Sequence, residues 1–454
     1  MAHIHIDFSS VIARIKPMHA VGQPPFAGGS AKINFAPMQV LTDANIPYSR
    51  MHDVGGPFGG NRYIDVPNIF RDFDADVNDP ASYDFAFTDT LLAAVIEHGV
   101  KPYFRLGVTI ENQSFIKAYR IHPPKDYQKW AEICEHIIRH YNDGWCEGFH
   151  YGIEYWEIWN EPDNRHDPKI NQMWTGTAQQ LYELYDVAAK HLKKCFGNQI
   201  KVGGYAATGF YGMYADPQKY GVNVAKREGT RYESEKESYR MQFFFGFLDY
   251  IRAHNSPIDF FSWHAYTTAD TLLPMVDFVN KTLAEYGYGN LEIHINEWNN
   301  SHERLKNSLS SYASAQVAAT MSAMQNKKVD MMMYYDARYS PGTYGCFFDP
   351  MTYKPTNVYY SFKSFGALYA LKNQTKSLSD DENVYCVAAA DGDQKAVMIT
   401  NAGETAQCIH TNLQGRFDAY LIDLNHLMTK VELDPAQFVL EGYQVVLLKS
   451  AEAK

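Results

Sequence analysis

The six cysteines, at positions 134, 146, 195, 346, 386 and 408, form no Cys-x-x-Cys pair. That scatter gives neither a zinc site nor a disulfide framework, so the thiols read as small apolar residues of a reducing compartment. Basic residues also lack a run: the formal charge is −11, and the mixed stretch from Lys226 to Arg240 alternates in sign. Nucleic acid, whose phosphates need clustered lysine and arginine, is therefore not an expected partner. No segment reaches the roughly 18 uncharged apolar residues that span a bilayer, so no membrane partner is expected either. The opening Met1-Ala-His-Ile-His-Ile-Asp-Phe8 has no basic region followed by an apolar stretch and a cleavage site. It reads as cytoplasmic, or as secreted if a leader has been removed. A dinucleotide-binding turn is missing too. Gly55-Gly-Pro-Phe-Gly-Gly60 lacks the G-x-G-x-x-G spacing and precedes no clear helix, and it reads as a flexible loop.

What the chain does have is length and rhythm. Its 454 residues can bury a large core, and suggest a barrel with an attachment or two to three domains. Aromatics make up 15% of the residues. Tyrosine and tryptophan suit sugar faces but equally fill cores, so this composition alone decides nothing. Strand-like runs at Ile46–His52, Val100–Leu106, Tyr155–Trp159 and Ile200–Gly204 alternate with stretches of helical periodicity. The alternation continues through Ile258–His264, Leu291–Glu297 and Asp330–Tyr335 to a last helix at Asn357–Leu371. Strand then helix, about eight times, predicts parallel strands closed into a (β/α)₈ TIM barrel over residues 16–373. After residue 373 the pattern changes to short strands between turn residues, predicting an accessory antiparallel β-sandwich over 374–454. The alternation His3-Ile-His-Ile-Asp-Phe8 predicts that residues 1–15 add a strand to that domain.

The C-terminal ends of barrel strands share one face, and there two glutamates stand out. Trp156-Glu-Ile-Trp-Asn-Glu161-Pro162 ends the fourth strand, and Ile293-His-Ile-Asn-Glu297-Trp298 ends the seventh. A glycosidic bond is hydrolysed by such a pair, one acid to protonate the leaving oxygen and one carboxylate to attack or to activate water. Singly, each glutamate is more often a surface charge; the matched pair beside tryptophan and asparagine changes that balance. Glu157 alternates with Glu161 and reads as an inward structural partner. His3 and His5 read as a solvated strand face, and the reaction calls for no metal and no cofactor.

The motif Trp-Asn-Glu161-Pro resembles the acid/base signature of the clan A retaining glycosidases. Arg50-x-His52, Gly99-Val-Lys-Pro-Tyr-Phe104, Lys201-Val-Gly-Gly204, His264-Ala-Tyr266 and Glu297-Trp-Asn make the chain similar to glycoside hydrolase family 39, the family of β-xylosidases and α-L-iduronidase. The resemblance implies Glu161 as acid/base and Glu297 as nucleophile. It further implies Asn160 on the sugar 2-hydroxyl, Tyr266 bonded to the nucleophile, and His264, His52 and Trp298 as substrate-binding residues. The expected activity is retaining, β-xylosidase-like exo-hydrolysis of an oligosaccharide or plant-type glycan. An endo-acting polysaccharide hydrolase and a carbohydrate-binding or transglycosylating relative are the alternatives, and a homo-oligomer is left open. Retention requires carboxyl groups about 5–5.5 Å apart. Like charge and burial predict Glu161 as the glutamate protonated at rest, with Glu297 kept ionised by Tyr266. Three segments depart from the family: Arg105 where it usually has glutamate, Met333-Tyr-Tyr-Asp-Ala-Arg338 without its tryptophan, and the loop Asn299–Arg304. With those changes xylose itself is no longer implied.

Overall fold

The computed structural model describes residues 1–28, 33–54, 64–110, 121–300, 309–339, 344 and 347–451. Eight strands close into a parallel barrel in chain order: β2 (Ala20–Gly22), β3 (Tyr48–Met51), β4 (Lys101–Leu106), β5 (Tyr155–Ile158), β6 (Lys201–Ala207), β7 (Phe260–Tyr266), β8 (Glu292–Asn299) and β9 (Met331–Tyr334). The (β/α)₈ prediction holds, and Glu161 and Glu297 fall at the ends of the fourth and seventh barrel strands. One strand was missed. β2 has only 3 residues, too few for a period-two pattern to show, and with it the Val100–Leu106 run is the third barrel strand. The predicted flexible loop at Gly55–Gly60 and Cys346 lie outside the described residues. Cys134, Cys146, Cys195, Cys386 and Cys408 are free thiols.

The helices begin where side chains can satisfy their first amides. Asp126 caps Tyr127–Asn142, and Ser234 caps Glu235–His254. Thr177 and Gln180 form a reciprocal capping box on Ala178–Phe196, a device whose loss costs about 1 kcal/mol. Inside the barrel, Ala20, Tyr103, Tyr155, Phe260, Met331 and Met333 form an apolar floor. The polar layer described below stands on it.

The remaining strands build a nine-stranded sheet in the order β15-β14-β17-β12-β11-β10-β1-β13-β16. Its members are β1 (Ala2–Arg14), β10 (Asn373–Ser379), β11 (Val384–Asp391), β12 (Gln394–Asn401), β13 (Gln407–Thr411), β14 (Phe417–Ile422), β15 (Leu427–Val431), β16 (Gln437–Leu440) and β17 (Val445–Ser450). Pairing is antiparallel except for β1 with β13, which run parallel. Period-two alternation gives the sheet two apolar faces. Val387, Ala389, Met398, Val445 and Leu447 join the barrel's main core, while Cys386, Ala388, Val397, Ile399, Val446 and Leu448 enclose a second one with Ile4 and Ile6. Polar ties reinforce the seam: Gln325 Nε2 donates to Gln374 Oε1 at 2.7 Å and to the Arg14 carbonyl at 3.0 Å. Among the described residues no helix is long and apolar enough to cross a membrane.

Candidate active site

Strand pleating decides which side chains see the barrel's interior. On β5, Tyr155 joins the floor, Trp156 turns outward against Phe104, and Glu157 turns inward. Beyond the strand the backbone takes left-handed φ values of 69° at Trp159 and 43° at Glu161. Such values are uncommon without glycine and cost of the order of 1–3 kcal/mol each. This geometry directs the successive residues Asn160 and Glu161 toward one site. Trp159 packs away from it against Trp174, its indole N–H bonded to the Met173 carbonyl at 2.9 Å.

On β8 a bulge does the same work. Regular alternation turns His294 and Asn296 inward. The register against β7 slips between the Trp263–Ile295 and His264–Glu297 pairs, so Glu297 faces inward as well. Trp298 then turns outward, its ring centroid 5.2 Å from that of Tyr334 and 6.2 Å from that of Phe362. The expected substrate contact of Trp298 is therefore corrected: it is a core residue between barrel and helix.

Arg50, inward on β3 and 1% exposed, ties the site together. It donates to Glu297 Oε1 at 2.8 Å, to Asn160 Oδ1 at 2.6 Å and, through two nitrogens, to Glu157 Oε2 at 2.6 and 2.8 Å. Asn296 donates to the other oxygen of Glu157. Tyr266 Oη donates to Glu297 Oε2 at 2.7 Å. Burial and the Glu297 charge push the Tyr266 phenol well above its ordinary value, so it keeps the proton it donates. His52 Nε2 lies 3.5 Å from Glu297 Oε1, and His264 Nδ1 lies 3.4 Å from Oε2. His52, Asn160, Glu161, His264, Tyr266 and Glu297 thus converge on one rim.

Glu161 has a different environment. Its Oε1 is 2.7 Å from His264 Nδ1, and its Oε2 accepts from Asn164 Nδ2 at 3.0 Å. One oxygen of Glu161, one of Glu297 and a nitrogen of His264 all lie within 4.8 Å of one another. Burial alone would raise the Glu161 carboxyl, but the His264 hydrogen bond and charge outweigh it and hold it below the ordinary carboxylate range. Burial opposes and the two glutamates support a raised value for His264. The expectation of a resting proton on Glu161, driven by burial and like charge, is thereby corrected: the carboxyl held low and the imidazole held high put that proton on the His264 side of their 2.7 Å bond. Sequence spacing could not reveal a partner 103 residues away.

Sequence alone does not single out Arg50, Asn296 and Asp53 as site residues, whereas Arg105 and Tyr335 belong to two of the three segments that depart from the family. Arg50 carries a usable signal, standing on β3 two residues before His52, which follows the strand's last residue, Met51. Arg105 donates to His52 Nδ1 at 3.0 Å and to Asp65 at 2.6 Å. Of the segment Asn299–Arg304, residues 301–304 lie outside the described residues.

A closed parallel barrel with polar side chains gathered at the C-terminal ends of its strands places the chain in the TIM-barrel class. The model of glycosyl hydrolases family 39 matches residues 60–339, and the chain belongs to that family. A β-xylosidase from Geobacillus stearothermophilus is 22% identical over 280 residues, 54% of this chain and 47% of that protein. One from Caldicellulosiruptor saccharolyticus is 29% identical over 133 residues, 28% of this chain and 25% of that protein. The chain thus covers less than half the length of these two relatives. In fold it is similar to a glucosidase from Croceicoccus marinus, with a TM-score of 0.75, 19% identity and coverage of 100% and 99% of the two chains. A monomeric β-xylosidase from Caulobacter crescentus superposes with a TM-score of 0.66 at 15% identity, over 98% of this chain and 99% of that one.

Proposed function

We propose that the protein is a retaining glycoside hydrolase, exo-acting and β-xylosidase-like, with Glu297 as nucleophile and Glu161 as acid/base. The observation that carries this reading is the pair of buried carboxyls with oxygens within 4.8 Å of each other, set in unlike surroundings. Nearest oxygens that close support direct attack on the anomeric carbon, because an inverting pair holds its carboxyl groups ~6.5–9.5 Å apart to leave room for a water between them. Glu297 receives hydrogen bonds from Arg50 and Tyr266, which suit an ionised nucleophile. Glu161 shares a proton with His264, which suits a group that must give one up and later recover it. Proton NMR of the first turnovers of an aryl glycoside tests the stereochemistry. The initial product is expected to keep the anomeric configuration of the substrate, and an inverted initial product would refute the reading.

His264 sets the alkaline limb of activity. The pair holds its shared proton until pH rises through the raised His264 value, and the competent acid is lost above that point. In His264→Ala the proton rests on Glu161 alone, a carboxyl that burial raises but that binds a proton less tightly than the imidazole–carboxyl pair. The alkaline limb of kcat/KM is therefore expected to move to lower pH in the variant. An unchanged limb would remove His264 from proton storage.

A further inference from the structure

Two chains of hydrogen bonds with fixed polarity meet beside Glu297, at a residue given no role so far. The first runs from Gln23, whose amide nitrogen donates to Tyr335 Oη at 2.7 Å. The Tyr335 hydroxyl, accepting there, spends its own proton on Asp53 Oδ2, also at 2.7 Å. The second runs from Arg105. A guanidinium only donates, so its 3.0 Å bond to His52 Nδ1 makes that nitrogen an acceptor and leaves the imidazole proton on Nε2. Burial and the charges of Arg50 and Arg105 push His52 well below its ordinary value, in keeping with a neutral ring. His52 Nε2 lies 3.2 Å from Asp53 Oδ1 and 3.5 Å from Glu297 Oε1. Asp53 is 5% exposed, and its Oδ1 makes no hydrogen bond among the described residues.

We infer that Asp53 Oδ1 and His52 Nε2–H are an acceptor–donor pair for one ring hydroxyl of the glycone, and that Asp53 is a specificity-determining residue. The inference rests on the hydrolase reading above. A hydroxyl donates to the carboxylate while accepting from the imidazole, so it satisfies both groups at once. A deoxy carbon satisfies neither, and a buried polar site left unpaired discriminates strongly against such an analogue. A carboxylate on the sugar cannot donate and would face the Asp53 charge. The substrate class is therefore a glycone that is neutral and hydroxylated at this position. Tyr335 and Arg105 are positioning residues: one aims the carboxylate, the other fixes the imidazole tautomer.

The test is a double-mutant cycle between protein and sugar. The p-nitrophenyl glycoside turned over best in a panel of both anomers of xylose, glucose, galactose and arabinose is compared with its 2-, 3- and 4-deoxy analogues. Asp53→Ala is expected to lower kcat/KM on the parent by about 10- to 100-fold, and by no more than about threefold on one deoxy analogue. A uniform loss on the parent and all three analogues would overturn the inference. Asp53→Asn, which keeps the shape and replaces one oxygen by a donor, serves if the alanine variant does not fold, with the same pattern expected. Should the wild type cleave nothing in the panel, the hydrolase reading fails, and calorimetry with hydroxylated piperidine iminosugars decides Asp53 without turnover. Binding weakened about tenfold by Asp53→Ala supports the pair; equal binding, or none to the wild type, overturns it.

Discussion

Glu297→Ala is expected to abolish turnover of every glycoside, a loss on the order of 10³-fold or more, or roughly 4 kcal/mol of barrier. In the proposed mechanism, removal of the attacking carboxylate leaves no route to a glycosyl-enzyme, whatever the leaving group. Glu161→Ala is expected to differ in kind. Substrates with good leaving groups need no proton in the first step, so for them the glycosyl-enzyme should still form and then accumulate. Azide should release it without base assistance, giving a glycosyl azide of retained configuration. The surroundings of the two residues underlie this division, Arg50 and Tyr266 donating to Glu297 while Glu161 pairs with His264. Steady-state kinetics with and without azide, plus the configuration of the azide product, check it. A retained azide from the Glu297 variant would reverse the roles, and full activity in both variants would refute them.

The barrel was legible because its strands and helices alternate with clear periods, and Glu161 because Pro162 ends its strand at the rim. Three features were not, each for a physical reason. A 3-residue strand such as Ala20–Gly22 has no period to read. A bulge inverts the facing of every residue after it, so Trp298 looked like a neighbour of the sugar and is a neighbour of Phe362. Long-range hydrogen bonds override the burial rule for carboxyls, which is why Glu161 lies below the ordinary range although it is buried. Asp53 combines two of these reasons. Its φ of 53° lies off the strand pattern, and its partner Tyr335 is 282 residues distant.

Arg50 presents the second large effect, and its loss should be felt in stability as well as activity. Its guanidinium lies between the carboxylates of Glu157 and Glu297, with side-chain exposures of 1%, 0% and 7% respectively. Arg50→Met keeps most of the volume but leaves both carboxylates short of a counter-charge in the barrel. Breaking a buried pair in this way costs about 3–5 kcal/mol, because desolvation of the remaining charge goes uncompensated. Activity should fall together with stability, since Glu297 and Asn160 both lose the donor that aims them. The two effects separate in the double variant Arg50→Met/Glu157→Gln. Removing the Glu157 charge relieves much of the desolvation penalty, so the urea midpoint at neutral pH should rise above that of Arg50→Met. Glycosidase activity should stay lost, because Glu297 and Asn160 remain unaimed. A double variant less stable than the single one would show that Glu157 stabilises the barrel independently of Arg50. Recovery of activity in the double variant would show that Arg50 matters only through folding, and would leave the orientation of Glu297 to Tyr266.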